Sequence, residues 1–154
     1  MAAFMKRGRR SKRGVIPPSF KETMGEAEPR RPRMDMGLGV WIGTIHRYCP
    51  LEHLGAHDNI TLDELDGRRL LVYVEPTSGI PIALYTQATA CAWQGDALHL
   101  DTGETIQQGR LLDAQGKPQP VGSTLLTTSA RPMQVFTRWT GFAYTFPGCE
   151  IFGG

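Results

Sequence analysis

Apolar positions in this chain come in short bursts separated by turn residues. Leu38, Val40, Ile42 and Ile45 stand around Gly39 and Gly43 in a short, bounded run, which predicts a strand opening a folded domain at residue 38. Pro50-Leu51-Glu52-His53-Leu54 has the apolar spacing of one or two helical turns, with proline at a tolerated first-turn position. Arg69–Val74 reads as a second strand entered through Asp66-Gly67, a strong turn dipeptide. Pro76, Gly79 and Pro81 then punctuate the chain before a third strand at Ile82–Tyr85.

Ala88–Trp93 and Ala97–Leu100 flank Gln94-Gly95-Asp96, and Ile106–Leu112 follows Asp101-Thr102-Gly103, which predicts three short strands in a meander. Ala114–Pro118 is a further turn. The stretch Phe136–Gly148 holds five aromatic residues in thirteen, against 8% in the whole chain, so it is expected to anchor the core. A platform for stacking bases or sugars is the functional alternative. Eighteen glycines and eleven prolines in 154 residues favour many short elements over a few long helices. The predicted fold is therefore α+β and mostly β: a single compact domain of short strands with one or two short helices over 38–154, preceded by a disordered basic arm over 1–37.

Charge sharpens that division. Residues 1–33 carry ten Lys/Arg against three acids, a balance of +7, while the remainder carries seven bases against twelve acids, a balance of −5. Prolines among charges and few large apolar side chains leave the arm too little burial to offset its ordering entropy, so it is expected to be dispensable for folding up to residue 36. Its run Lys6, Arg7, Arg9, Arg10, Lys12 and Arg13 suits an anionic partner, nucleic acid or lipid headgroups, through counterion release, or docking on a protein assembly. A solvated tail is the plainer reading, since no aromatic residues interleave with the run to stack on bases.

Cys49, Cys91 and Cys149 are odd in number and widely spaced, which suggests neither a disulfide framework nor a CxxC pair. No apolar run follows the basic residues as in a secretory signal, and no segment has the roughly 20 apolar residues of a membrane span. If Met1 is the true start, the expected location is cytoplasmic.

One constellation could hold a metal: His46, Cys49, His53 and His57, at i, i+3, i+7 and i+11, lie on one face of a helix, and imidazole with thiolate suits zinc or copper. Pro50 and Gly55 interrupt that face, and the close ligand pairs of structural zinc sites are absent. There is no GxSxG elbow, no GxxxxGK phosphate loop and no HExxH. Cys91 reads as a small core residue, and Asp58, Asp63, Glu64 and Asp66 read as turn caps or solvated acids. No catalytic residue and no cofactor is expected from these patterns.

His46-Arg47-Tyr48-Cys49-Pro50-Leu51, then His57-Asp58, then Leu65-Asp66-Gly67 entering Leu70–Val74, resembles the opening of a bacterial and archaeal family catalogued as a domain of unknown function. Its members show an Arg-Ala-Tyr-Pro-Leu stretch, a His-Glu pair, an Asn-Asp turn with two glycines, a strand running into Tyr-Cys-Pro-Leu-Cys-Gly, and a Trp-containing ending that Trp139–Ile151 resembles. Where the family has its cysteine pair this chain has Glu75-Pro76-Thr77-Ser78-Gly79, keeping the Pro and Gly and losing both thiols. If the family uses that pair for metal or redox chemistry, the resemblance leaves His57, Asp58 and Glu75, a harder and weaker set. A contact between Glu75 and His57 is expected in its place. Two functions follow: a non-catalytic binding or accessory module whose arm meets an anionic partner, and, as alternative, a metal-dependent or redox protein with a degenerate site centred on His57.

Overall fold

A computed structural model describes residues 28–119 and 131–153. Among these the chain forms β1 (Met36–Ile42), β2 (Ile45–Pro50), α1 (Leu51–Ala56), β3 (Ile60–Leu65), β4 (Arg68–Val74) and β5 (Pro81–Tyr85). It continues with β6 (Cys91–Gln94), β7 (Ala97–Leu100), β8 (Thr105–Gln107), β9 (Arg110–Leu112), β10 (Met133–Arg138), α2 (Trp139–Thr145) and β11 (Glu150–Ile151). The strands make three sheets, ordered β10-β1-β2-β11, β3-β4-β5 and β6-β7-β8-β9. All neighbours are antiparallel except β2 and β11, which run parallel with Arg47 opposite Glu150 and Tyr48 opposite Ile151. The fold is the expected α+β, mostly β type, with two short helices among the described residues. No helix among the described residues is long and apolar enough to cross a membrane.

Strand alternation explains how the layers stack. On β1 and β2, Leu38, Val40 and Cys49 point to one face and meet Leu70 and Val72 of β4, with Leu54 of α1 completing this first core. The next residues along β4, Leu71 and Tyr73, point the other way and meet Leu84, Leu98 and Ile106 in a second core. The middle sheet is thus covered on both sides, and its central strand is a continuous apolar run from Leu70 to Val74. A third core lies on the outer face of the first sheet, where Tyr48 packs under Trp139 and Phe142 of α2. Each wholly buried large side chain contributes about 1.5–3 kcal/mol of hydrophobic stabilisation.

Two glycines of β1 make the third core. A Cβ at Gly39 would run into the Phe142 ring, and one at Gly37 would meet the Tyr48 ring and the Cys49 carbonyl, so the aromatic side chains lie directly on the strand backbone.

Several sequence expectations change. The run from Leu38 to Ile45 is a hairpin and not one strand, because Gly43 takes a positive φ of 57° and reverses the chain. Ile106–Leu112 likewise splits into β8 and β9 at Gln108-Gly109, both at positive φ. Asp63 and Glu64, read with Asp58 and Asp66 as turn caps or solvated acids, lie on strand β3, where Asp63 faces Arg47 across the sheets. The start of the body also moves. β1 begins at Met36, and Glu28–Asp35 pack on α2, so deletion through residue 36 would remove integral structure. The rest of the expected arm, including Lys6, Arg7, Arg9, Arg10, Lys12 and Arg13, lies outside the described residues.

Candidate functional site

The four proposed ligands fall into three places. His46 and Cys49 sit on β2, where the two-residue period sends them to opposite faces. His46 stacks on Phe146 with ring centroids 4.0 Å apart. Cys49 is buried in the first core, where burial, aided by the charge of Asp63, pushes its thiol up to about 12. Such a thiol is protonated near neutral pH and serves as a small core residue. The helical face that would have gathered all four does not form, because Pro50 ends β2 and α1 starts only at Leu51.

His53 on α1 and His57 at its C-cap are brought together. Their rings stack with centroids 4.2 Å apart, and His57 Nδ1 lies 2.8 Å from the His53 carbonyl. A carbonyl only accepts, so Nδ1 carries the hydrogen and the neutral ring keeps its lone pair on Nε2. His53 meets the edge of Phe152 and rests against the Gly153 backbone, where a Cβ would touch its ring. Burial, then the neighbouring His57, holds the His53 pKa below its ordinary value. Among the described residues, no three His, Cys, Asp or Glu side chains gather as a group able to hold a metal ion.

Glu75 is occupied by its own turn. Its carboxylate accepts from the Thr77 N–H at 3.1 Å and the Ser78 N–H at 2.7 Å, while its carbonyl accepts from the Gly79 N–H at 2.8 Å. Ser78 Oγ accepts from the Ile80 N–H at 3.2 Å. Gly79 has a φ of 73°, so Pro76 and Gly79 shape the connection as expected. Those amide donors hold the Glu75 carboxyl below the usual carboxylate range. The expected contact with His57 is replaced on both sides, since Glu75 faces Thr77 and Ser78 while His57 faces His53. The two stretches do run close: the Val74 N–H donates to the Asn59 carbonyl at 3.0 Å.

The most elaborate polar cluster was not visible in the sequence. It forms where residues 28–35 meet α2 and β2. Trp139 Nε1 donates to the Glu28 carbonyl at 2.9 Å, Arg30 Nη1 to the Cys149 carbonyl at 2.9 Å, and Tyr48 Oη to the Asp35 carbonyl at 3.0 Å. Arg30 also lies over the Trp139 ring, 5.3 Å from its centroid. Arg31 binds both Asp35 oxygens, at 2.9 and 3.1 Å, and reaches Glu52 at 2.7 Å. Thr140 Oγ1 donates to the Arg33 carbonyl. Arg30, Arg31 and Arg33, counted with the basic segment by charge, are therefore built into the body. A cleft of about 410 Å³ opens beside them, lined by Arg30, Arg31, His53 and Phe152 among others.

On the opposite side, Arg47 closes another long-range link. It binds Asp63 at 2.6 Å and Glu150 at 2.7 Å, tying β2 to β3 and β11. His46–Leu51 and Trp139–Ile151 are thus neighbours in space. No protein-family model, curated protein or solved structure matches the chain.

Proposed function

We propose that this chain is a non-catalytic binding or accessory module whose basic segment, Lys6, Arg7, Arg9, Arg10, Lys12 and Arg13, engages an anionic surface. The observation that carries the reading is the partition of charge, +5 over residues 1–27 against −3 over 28–154, joined at a fixed point: Glu28, Arg30 and Arg33 are tied to Trp139, Cys149 and Thr140. Three of the side chains that could do chemistry have structural employment. Cys49 fills a core, Glu75 closes a turn, and Asp63 pairs with Arg47. A resemblance to the unknown-function family is part of the same proposal; in this chain the two stretches that carry it lie side by side through β2 and β11.

The test is binding of the intact chain to a DNA duplex and, separately, to vesicles containing anionic lipid. Affinity for one of them should fall steeply between roughly 50 and 200 mM salt, as counterion release requires. It should vanish when Arg7, Arg9, Arg10 and Arg13 are changed to Gln. Salt-insensitive binding that survives those changes would overturn the reading.

A second reading, a degenerate metal or redox site centred on His57, is favoured by one feature. The His53 carbonyl fixes the His57 tautomer and leaves Nε2 as a lone-pair donor on an exposed residue, the arrangement that orients metal-binding imidazoles. Stoichiometric zinc, copper or iron in purified protein would favour it over the first.

A further inference from the structure

The recess beside β10 supports an inference independent of the basic segment. Among the described residues, β10 and β5 end their respective sheets, so each presents an edge. Between them runs a groove of about 810 Å³ with a largely apolar lining that includes Trp41, Ile80, Pro81, Met133 and Val135. Ile80, Met133 and Val135 are 44%, 60% and 42% exposed, and they make up three of the five large hydrophobic residues exposed among the described residues. Gln134 fastens the floor of this groove by reaching across to both backbone groups of Ala83, so a glutamine side chain spans the space between the two strands. Arg131 is the one charged side chain in the lining among the described residues.

We propose that the β10 edge docks an extended strand of a partner protein, which joins the first sheet beside β10. Apolar side chains at alternate positions enter the groove, and an acidic residue meets Arg131. A β-strand edge supplies backbone affinity and the groove supplies side-chain specificity. The exposed apolar trio is the cost that a monomer avoids and that a docking surface uses. The charge of the lining selects among occupants. The chain's own Lys6–Arg13 segment would bring cations to Arg131, whereas an acidic residue on a partner strand is complementary to it.

The probe is a capped synthetic octapeptide alternating valine and threonine and ending in glutamate, titrated into the isotopically labelled full chain. Saturable amide shifts should cluster on Met133–Arg138 and Ile80–Ile82, with slowed hydrogen exchange along β10. Val135→Lys and Met133→Lys, both at exposed positions, should weaken binding about tenfold or more, as a charge placed in an apolar contact does. Arg131→Glu should weaken the glutamate peptide and restore binding to the same peptide ending in lysine. The proposal is overturned by shifts that fall elsewhere, by binding indifferent to all three changes, or by absence of shifts at saturating peptide. Sedimentation showing a dimer dissolved by Val135→Lys would assign the groove to a second copy instead. Binding that appears only after deletion of residues 1–27 would assign it to the chain's own segment.

Discussion

Gln134 and Ala83 join two sheets where no backbone ladder runs. The Gln134 side-chain amide accepts from the Ala83 N–H and donates to the Ala83 carbonyl, both at 2.9 Å, playing the part of a peptide group in a neighbouring strand. Ala83 is wholly buried, so removing the amide strands two backbone groups. Gln134→Ala should cost about 1–3 kcal/mol in urea unfolding. Gln134→Glu should recover little of it, because a carboxylate cannot donate to the carbonyl. A loss of only a few tenths would show the bridge to be idle.

Gly39→Ala reverses the usual expectation for a strand. Alanine normally improves on glycine within a strand, but here its methyl meets the Phe142 ring. The expected cost is about 1–3 kcal/mol from overpacking. Combining it with Phe142→Leu should cost less than the sum of the two single changes, and a double-mutant cycle by thermal unfolding measures the difference.

Trp139 is fully buried and packs edge-on against Tyr48 with ring centroids 5.0 Å apart. Trp139→Ala should therefore cost about 3–5 kcal/mol. Trp139→Phe keeps most of the packing and loses the hydrogen bond to the Glu28 carbonyl, and should cost clearly less. Unchanged stability in Trp139→Ala would refute the assignment of this residue to the core.

Two truncations separate the anchored segment from what precedes it. Deleting residues 1–35 removes the partners of Trp139, Tyr48 and Thr140, whereas deleting 1–27 leaves all of them. The longer deletion should lower the melting temperature well below that of the shorter one. Equal melting temperatures would show that the contacts of residues 28–35 contribute nothing to stability.

Two groups give the protein separate sensitivities to acid. His53 has its pKa lowered in the fold, so as pH drops below its ordinary 6.5 the unfolded chain takes up the proton first and stability declines, levelling off below the folded pKa. Glu75 is also lowered, and its contribution is present above the ordinary 4.5 and lost as pH falls through its folded pKa. Melting temperatures across this range should show the upper decline reduced in His53→Gln and the lower one reduced in Glu75→Gln. An upper decline unaltered in His53→Gln would remove His53 as its source.

What the sequence revealed was local chemistry. Asp66-Gly67 forms its turn with both residues at positive φ, β4 and β5 stand where their apolar runs lie, and the aromatic density around Trp139 marks a core. What it concealed depends on distant partners. Asp63 reads as a solvated acid until Arg47 is seen opposite, and that partner is supplied by sheet packing. Arg30 and Arg31 read as tail charges because the Cys149 carbonyl and Glu52 that they reach lie far along the chain. The histidine and cysteine cluster dissolved for a simpler reason. A strand, not a helix, carries His46 and Cys49, and period two separates what period 3.6 would have gathered.

The doubly covered middle sheet also bears on how this protein behaves before it is folded. Leu70-Leu71-Val72-Tyr73-Val74 is five β-prone residues without a charge, the kind of segment that seeds intermolecular sheets when it is left uncovered. Arg68 and Arg69 stand immediately before it and Glu75-Pro76 immediately after, which places charge and a strand-breaking proline at its ends as gatekeepers. Replacing both arginines by threonine removes the Arg68 stack on Tyr85 and the Arg69 hydrogen bond to the Gln87 carbonyl, and should lower soluble yield on refolding well beyond that modest loss in the finished protein, a fault chiefly of the nascent chain.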